Sequence, residues 1–252
     1  MLAGKAQPFG SSPGTSIDHA MTDTTQFHVR HLERLPLGTT YPGIVEHVQR
    51  LMNRAPLVPT DTLVIDYTGC GRPAYDIFVS RGMSPIGVAI CSGDSVNFNG
   101  LTYTVPKGLL IARVTALLHE GRLKIAKELA DAPALVEELG NFRATVTESG
   151  RWTYGARSGA HDDLVLALAI ALWRAHGGDV PGMAAFDYMR LQKRTAGTRS
   201  EFFVGVDLGQ SSDSTAIAVV EKITPPTATA DATHAASPTK DFTKRIAGGH
   251  PL

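Results

Sequence analysis

The sequence predicts an α/β fold in which a mixed β-sheet is flanked by helices. Strand-like and helical segments alternate through the middle of the chain, which is the pattern of a layered α/β domain. The run LVLALAIALW at residues 164–173 is apolar on nearly all sides, so we expect a helix buried between layers. The segments FFVGVD and TAIAVVE, separated by a short polar loop, predict a hairpin. The hairpin makes the sheet mixed.

The strands are marked by alternating apolar residues or by short apolar runs that end in turn residues. TLVID, for example, is followed by Thr68-Gly69, and a hairpin arm is expected around Asn99-Gly100. Strands are expected at residues 27–35, 62–66, 85–91, 202–207 and 215–221, with the hairpin arm at 97–105.

The helices are marked by apolar residues at intervals of three or four, as in Ile44, Val48 and Leu51. Helices are expected at residues 41–52, 73–81, 108–120, 133–139, 162–175 and 184–194. The last of these lies in a Gly- and Pro-containing connection between the buried helix and the final hairpin.

The two ends of the chain differ from its middle. Residues 1–25 and 223–252 are rich in Thr, Ala, Ser, Pro and Gly without apolar periodicity, so both are interpreted as flexible tails. Residues 26–222 are expected to form one domain, whose strand pair 201–222 comes from the C-terminal end.

Composition excludes several classes of protein. The 24 basic and 24 acidic side chains give a net charge of zero, which argues against a protein that coats nucleic acid through bulk charge. Two cysteines, Cys70 and Cys91, are too few for a disulfide scaffold or a Cys-based zinc site. The first residues lack the apolar core of a signal peptide, and the longest apolar run is too short to cross a bilayer. We therefore expect a soluble, cytoplasmic protein with no membrane partner.

Aspartates stand at the ends of three apolar elements. Asp207 closes FFVGVD, Asp66 closes TLVID, and Asp162 and Asp163 open the buried helix. Each has a plainer interpretation: an N-cap for Asp162 or Asp163, and a turn residue for Asp66 and Asp207. Gathered at one end of a sheet, however, these carboxylates would repel one another unless cations lay between them. Oxygen ligands of this kind favour Mg²⁺ or Mn²⁺.

Longer segments around these aspartates resemble the nuclease domain of phage terminase large subunits. They are LVIDYTGCGRPAYDIF, the VPK that ends the hairpin arm, GARSGAHDDLVLALAIALW and EFFVGVDLGQSSDSTAIAVVE. The resemblance covers residues 26–176 and 201–222, about two thirds of the chain. It implies an RNase H-like fold and an endonuclease that cleaves double-stranded DNA during viral packaging with two divalent ions, Mg²⁺ or Mn²⁺.

The resemblance also implies the site residues. Asp207 matches the first acidic motif of the family, Asp66 the second, and the pair Asp162 and Asp163 the third, with Asp163 preferred. These four are the expected catalytic residues and metal ligands. Asp213, in the loop after the first motif, either approaches the metal site or serves as a turn residue.

Three basic side chains are the expected DNA contacts. Lys107, at the end of the hairpin arm, is placed to meet a phosphate. His161 is placed to orient a water or a phosphate beside the acids, or else packs at the entry of the helix. Arg157 belongs to a Gly-containing loop that either touches DNA or is anchored by its own aromatic residues.

The order of the motifs departs from the family, because the Asp207 strand pair comes last instead of first. The order is that of a circular permutation cut between the second and third strands. About 25 residues precede Phe202, enough at ~3.3 Å per residue to return the strand to the centre of the sheet. A domain swap between two copies and a rearranged, inactive gene product are the alternatives.

The sequence has no Walker A loop, so it cannot power DNA translocation alone. A separate packaging ATPase, a small terminase subunit and a portal are the partners that the resemblance implies, beside double-stranded DNA. Two other functions stay open. The VGVDLGQSSDSTAIAVVE hairpin also resembles the phosphate-binding hairpin of the actin, heat-shock ATPase and sugar-kinase group of nucleotide-binding proteins. A non-catalytic remnant of a terminase is the other.

Overall fold

A computed structural model describes residues 25–58, 61–69, 71–146, 152–156, 161–177, 198–209 and 213–226. The tails at 1–24 and 227–252, the helix expected at 184–194 and the candidate DNA contact Arg157 lie outside these residues.

Eight strands form one mixed sheet in the order β4-β5-β3-β2-β9-β10-β1-β6, and β7 and β8 form a separate hairpin. The strands are β1 (Gln26–Arg34), β2 (Asp61–Asp66), β3 (Ile86–Cys91), β4 (Asn97–Phe98), β5 (Thr102–Pro106), β6 (Leu123–Ile125), β7 (Phe142–Val146), β8 (Trp152–Ala156), β9 (Arg199–Asp207) and β10 (Ala216–Thr224).

Helices cover both faces of the large sheet. They are α1 (Tyr41–Met52), α2 (Gly71–Ser80), α3 (Lys107–His119), α4 (Ala132–Asn141) and α5 (Asp163–Ala175). One hydrophobic core joins the sheet to α3, α4 and α5. A second core, on the opposite face, joins it to α1 and α2. The prediction of an α/β fold with a mixed sheet flanked by helices is therefore confirmed.

The two C-terminal strands occupy the centre of the sheet. β9 pairs with β2 in parallel, and β10 pairs with both β9 and β1 in antiparallel fashion. Six consecutive residues at the end of β9 are buried, as expected for a strand covered on both faces. The strand pair from the C-terminal end thus lies between β2 and β1 of the same chain.

Gly205 brings α5 directly onto β9. A Cβ atom at this position would lie 2.0 Å from the carbonyl oxygen of Ala167, so a larger residue would push the helix away from the sheet. Asp207 follows Gly205 by two residues, and Asp163 precedes Ala167 by about one helical turn. The close contact therefore sets the start of α5 beside the end of β9.

Three strands were not expected from the sequence: β6, β7 and β8. β6 is three residues long and pairs only with the start of β1, so tertiary pairing defines it more than its own pattern. β8 occupies the segment interpreted as a Gly-containing loop, which is a correction. β10 continues to Thr224, two residues beyond the expected end of the domain. Within the described ranges, no helix has both the length and the apolar character that a bilayer span requires.

Candidate metal centre

Asp66 and Asp207 are neighbours at the carboxyl ends of two parallel strands. The register pairs Ile65 with Val206, so the next residue on each strand is one of the two aspartates. Asp207 is buried, with 8% of its surface exposed. Asp66 is half-buried, and its Oδ1 accepts a hydrogen bond of 2.7 Å from the amide of Thr68. Asp66 thus serves as a turn residue and also stands beside a second carboxyl group.

The electrostatics of Asp207 are those of a crowded acidic site. Burial, followed by the charge of Asp66 and a hydrogen bond with it, raises the pKa of Asp207 well above its ordinary value. The charges of Asp163 and Asp162 raise the pKa of Asp207 further. Asp66, Asp163 and Asp162 are therefore close enough to act on Asp207, and together with burial they disfavour its ionised form.

Asp163 is the first residue of α5 and is only 3% exposed. Its Oδ2 atom is buried without a hydrogen-bond partner and lies 3.6 Å from Arg34 Nε and 3.7 Å from His161 Nδ1. Burial and the nearby charge of Asp213 raise the pKa of Asp163 to about 6, although Arg34 and His161 act in the opposite direction. A buried carboxylate oxygen in this position lacks the partner that a cation would supply.

Asp162 occupies the N-cap position of α5 but does not cap the helix with its side chain. Its Oδ2 accepts a hydrogen bond of 2.7 Å from Lys107 Nζ. The amide of Val165, in the first turn of α5, donates a hydrogen bond of 2.9 Å to Glu138 Oε2 instead. Asp162 therefore has the N-cap position that was one interpretation of it, but the side chain that accepts from the first turn of α5 is Glu138, on another helix.

A second group of possible ligands lies on the exposed side of Asp163. One ligand atom from each of His161, Asp163 and Asp213 falls within 4.8 Å of the others. The side chains of His161 and Asp213 are 57% and 54% exposed, and 3.6 Å separates His161 Nδ1 from Asp213 Oδ1. Asp213 thus approaches the acidic centre from the loop between β9 and β10.

The loop that carries Asp213 is closed tightly at its base. The amide of Gly209 donates to Thr215 Oγ1 at 3.1 Å, across the loop. A Cβ atom on Gly209 would lie 2.3 Å from the carbonyl oxygen of Asp213, so this position admits no larger side chain without movement of the loop. The glycine after the first acidic motif therefore allows the loop to fold back toward Asp163.

The donors around Asp163 fit a divalent cation. They are carboxylate oxygens with one imidazole, a set that suits Mg²⁺ or Mn²⁺ better than a thiolate-seeking ion. The unpartnered Oδ2 of Asp163 and the raised pKa of Asp207 both indicate an excess of negative charge that a bound cation would offset.

The predicted DNA contacts have different surroundings. Lys107, the first residue of α3, has a quarter-exposed side chain and is engaged by Asp162, with Nζ also 5.6 Å from the centre of the Phe142 ring. His161 is more exposed than buried, so packing at the helix entry is a smaller part of its environment than contact with Asp163 and Asp213. Arg157 lies outside the described residues.

Two residues of the centre were missed from the sequence. Arg34 ends β1, and Glu138 lies on the buried face of α4 while its neighbour Glu137 is exposed. The one available signal was spacing, because Glu138 follows the buried Leu135 by three residues on the same helix face. Nothing in the sequence indicates that Arg34 reaches the start of α5.

Comparison with known protein families and with curated proteins gives no match. Among solved structures, the chain is similar to the large terminase nuclease from the thermophilic phage G20c, crystallised with bound cobalt. The TM-score is 0.40 and the sequence identity is 22%, over 54% of this chain. The match spans 62% of the length of that nuclease chain.

Proposed function

We propose that this chain is a metal-dependent endonuclease that hydrolyses phosphodiester bonds of double-stranded DNA with two divalent ions, Mg²⁺ or Mn²⁺. The observation that carries the proposal is that Asp66 and Asp163 lie close enough to Asp207 for their charges to raise its pKa, although the three come from two parallel strand ends and one helix start. Rigid elements hold all three, as a site that must position reacting atoms requires. A fold built for stability alone gains nothing from several carboxylates in mutual repulsion.

The chain's own residues supply the frame for the reaction. Asp66, Asp207 and Asp163 would hold the ions, with Asp162 beside them. Two ions at such a centre, when bound, activate a water molecule and stabilise the leaving oxygen of an in-line displacement. His161, exposed between Asp163 and Asp213, is placed to orient a water or a phosphate at the rim.

DNA binding is assigned to three basic side chains. Lys107 and Arg157 are the proposed phosphate contacts, with His161 between the acids and the solvent. Because the chain has a net charge of zero, affinity would depend on these few local cations. The partners proposed for packaging are a separate ATPase, a small terminase subunit and a portal, as the resemblance of the motifs to terminases implies. The proposed setting is the cytoplasm of the host cell.

We also infer that the chain is a circularly permuted relative of the terminase nucleases. The strand pair with the first acidic motif is the last in the sequence, yet it lies at the centre of the sheet beside β1 and β2. The hairpin tip between the second and third strands of the family would be the site of the cut, and exposed tips tolerate such cuts.

The test of the nuclease proposal is the cutting of supercoiled plasmid by the purified chain. We expect nicked and linear products with Mn²⁺ or Mg²⁺ and none with EDTA. Asp66→Ala is expected to lower the rate by at least about a hundredfold, because it removes a metal ligand. Asp76→Ala is the matched control: this aspartate lies on the exposed face of α2, in the helix that follows Asp66.

Three results would contradict the proposal in different ways. Equal rates for wild type and Asp66→Ala would remove the metal-site assignment and point to a contaminating nuclease. Binding of ATP without any cutting of DNA would favour the nucleotide-binding alternative. If the chain unfolds cooperatively on heating but neither binds ATP nor cuts DNA, the alternative of a non-catalytic remnant is favoured.

A further inference from the structure

An ion pair between the half-buried Arg34 and the buried Glu138 lies beside the candidate metal centre. Glu138, on α4, is 4% exposed, and its two carboxylate oxygens have different partners. Oε1 accepts a hydrogen bond from Arg34 Nη2, and Oε2 accepts one from the amide of Val165 in the first turn of α5. One side chain therefore joins the end of β1 to the start of the helix that carries Asp163.

Arg34 also approaches the metal centre with its Nε atom. This atom is buried without a hydrogen-bond partner, and so is Oδ2 of Asp163, at a distance of 3.6 Å. The Arg34 main chain is fixed as well, because its amide donates to Asp131 Oδ2 at 3.1 Å. The guanidinium group thus contacts Glu138 through Nη2 and approaches the Asp163 carboxylate through Nε.

The positive charge of Arg34, taken alone, would repel a cation bound at this centre. Glu138, however, neutralises Arg34 by direct contact, so the pair adds little net charge near the centre. The contribution of Arg34 is therefore geometric, because a planar guanidinium group can contact two carboxylates at once and fix their relative positions. This favours orientation over charge as the contribution of the pair.

We propose that Arg34, held by Glu138, is a positioning residue for Asp163, fixing the carboxylate and the first turn of α5 in the arrangement that receives the divalent ion. The proposal deepens the proposed function and rests on it for the identity of the ion. Residues behind metal ligands typically change metal affinity by about 10–100-fold when they are lost.

The alternative is a purely structural ion pair. Removal of Arg34 alone would leave the buried Glu138 carboxylate without its charged partner, and the resulting loss of stability would confuse folding with function. A balanced double variant avoids this. In Arg34→Met with Glu138→Gln, the glutamine carbonyl can still accept from the Val165 amide, and no charge is left unpaired.

A second variant and a control separate the two explanations. Arg34→Lys keeps the positive charge but loses the planar guanidinium group that lies beside the carboxylates of Glu138 and Asp163. The matched control is Arg30→Met with Glu221→Gln, because Arg30 on the same strand forms an ion pair of 2.6 Å with Glu221, and neither residue contacts the acids of the centre. Each protein is measured for its Mn²⁺ dissociation constant by calorimetry and for thermal unfolding in EDTA.

We expect the balanced double variant to unfold near the wild-type temperature and to bind Mn²⁺ about tenfold more weakly. Arg34→Lys is expected to weaken Mn²⁺ binding at least threefold, and the Arg30/Glu221 control to leave it unchanged. A wild-type dissociation constant in either Arg34 variant would overturn the positioning role.

The result also separates this inference from the nuclease proposal. If wild type binds Mn²⁺ with the expected dependence on Arg34 and cuts no DNA, the nuclease proposal fails and the positioning role stands. If wild type cuts DNA and the Arg34 variants bind Mn²⁺ normally, the positioning role fails alone. Absence of Mn²⁺ binding by wild type would overturn both.

Discussion

Asp207 lies beside Asp66 because β9 and β2 run parallel in a register that ends both strands at an aspartate. The two residues come from opposite halves of the chain. The repulsion between them is a cost that the fold carries in the absence of a cation.

The first prediction concerns that cost. Asp207→Asn removes a buried carboxyl group whose pKa is raised by burial and by Asp66, while the amide can still donate to the Asp66 carboxylate. We expect the variant in EDTA at pH 8 to unfold roughly 3 °C or more above wild type. Differential scanning calorimetry measures the change.

Addition of Mn²⁺ should reverse the order of the two proteins. Wild type is expected to gain stability with rising Mn²⁺ by mass action, whereas Asp207→Asn should gain little. The exposed Asp76→Asn serves as the control and should respond to Mn²⁺ as wild type does. A destabilised Asp207→Asn in EDTA would show that the carboxylate has a structural partner instead of an unrelieved repulsion.

The second prediction is a pH dependence from Asp163. Its pKa is raised from 3.8 to about 6 in the folded chain, by burial first and then by Asp213. Between these values the folded state binds the proton more tightly than the unfolded state does. The contribution of this group therefore favours folding below about pH 4, is lost as the pH rises to about 6, and amounts to at most about 3 kcal/mol.

Urea unfolding of the metal-free protein at pH 4, 5, 6 and 7 measures this contribution as a difference from Asp163→Asn. The free energy of unfolding of wild type should fall relative to the variant across this range and run parallel to it above pH 7. A difference that is constant from pH 4 to 7 would mean that Asp163 titrates at its ordinary pKa.

Much of the fold followed from local pattern. The apolar run in α5 predicted a helix buried on all sides, and the structure places that helix against β9 at Gly205. β6 could not be predicted, because it is three residues long and depends on β1, a partner distant in the sequence. β8 pairs locally with β7, in a segment whose glycine had suggested a loop.

The candidate site also contains residues that a sequence pattern can mark and residues that it cannot. Asp66, Asp207 and Asp163 stand at element ends, where a sequence pattern can mark them. Arg34 and Glu138 are defined by contacts between β1, α4 and α5, and no local pattern encodes such contacts. Likewise, the loss of the capping role of Asp162 follows from its contact with Lys107, at the start of a different helix.

The third prediction concerns Lys107 as a phosphate contact. Lys107→Gln is expected to weaken binding of double-stranded DNA for all sequences and to reduce the slope of log K against log salt by about one. Fluorescence anisotropy with Ca²⁺ in place of the catalytic ion measures binding without cleavage. Lys127→Gln is the control, since the Lys127 side chain is 92% exposed and lies only loosely beside Glu128. An unchanged salt slope for Lys107→Gln would confine Lys107 to its contact with Asp162.

The last prediction tests the inferred permutation directly. β10 and β1 are antiparallel neighbours, and Ile223 pairs with Gln26, so the end of one strand lies beside the start of the other. Moving residues 198–226 in front of residue 25, with a short Gly-containing turn between them, restores the order expected for the terminase family. Because every strand keeps its partners, the rearranged chain should fold with the same sheet and unfold within a few degrees of wild type, as circular permutation at exposed tips usually allows. It should also cut plasmid DNA in the same Mn²⁺-dependent manner.

A matched chain in which the moved segment carries Gly205→Leu should fail to fold, because that side chain meets the backbone of α5 at Ala167. If instead the rearranged chain folds only as a dimer, the central strand pair is exchanged between copies, and the intramolecular arrangement is wrong.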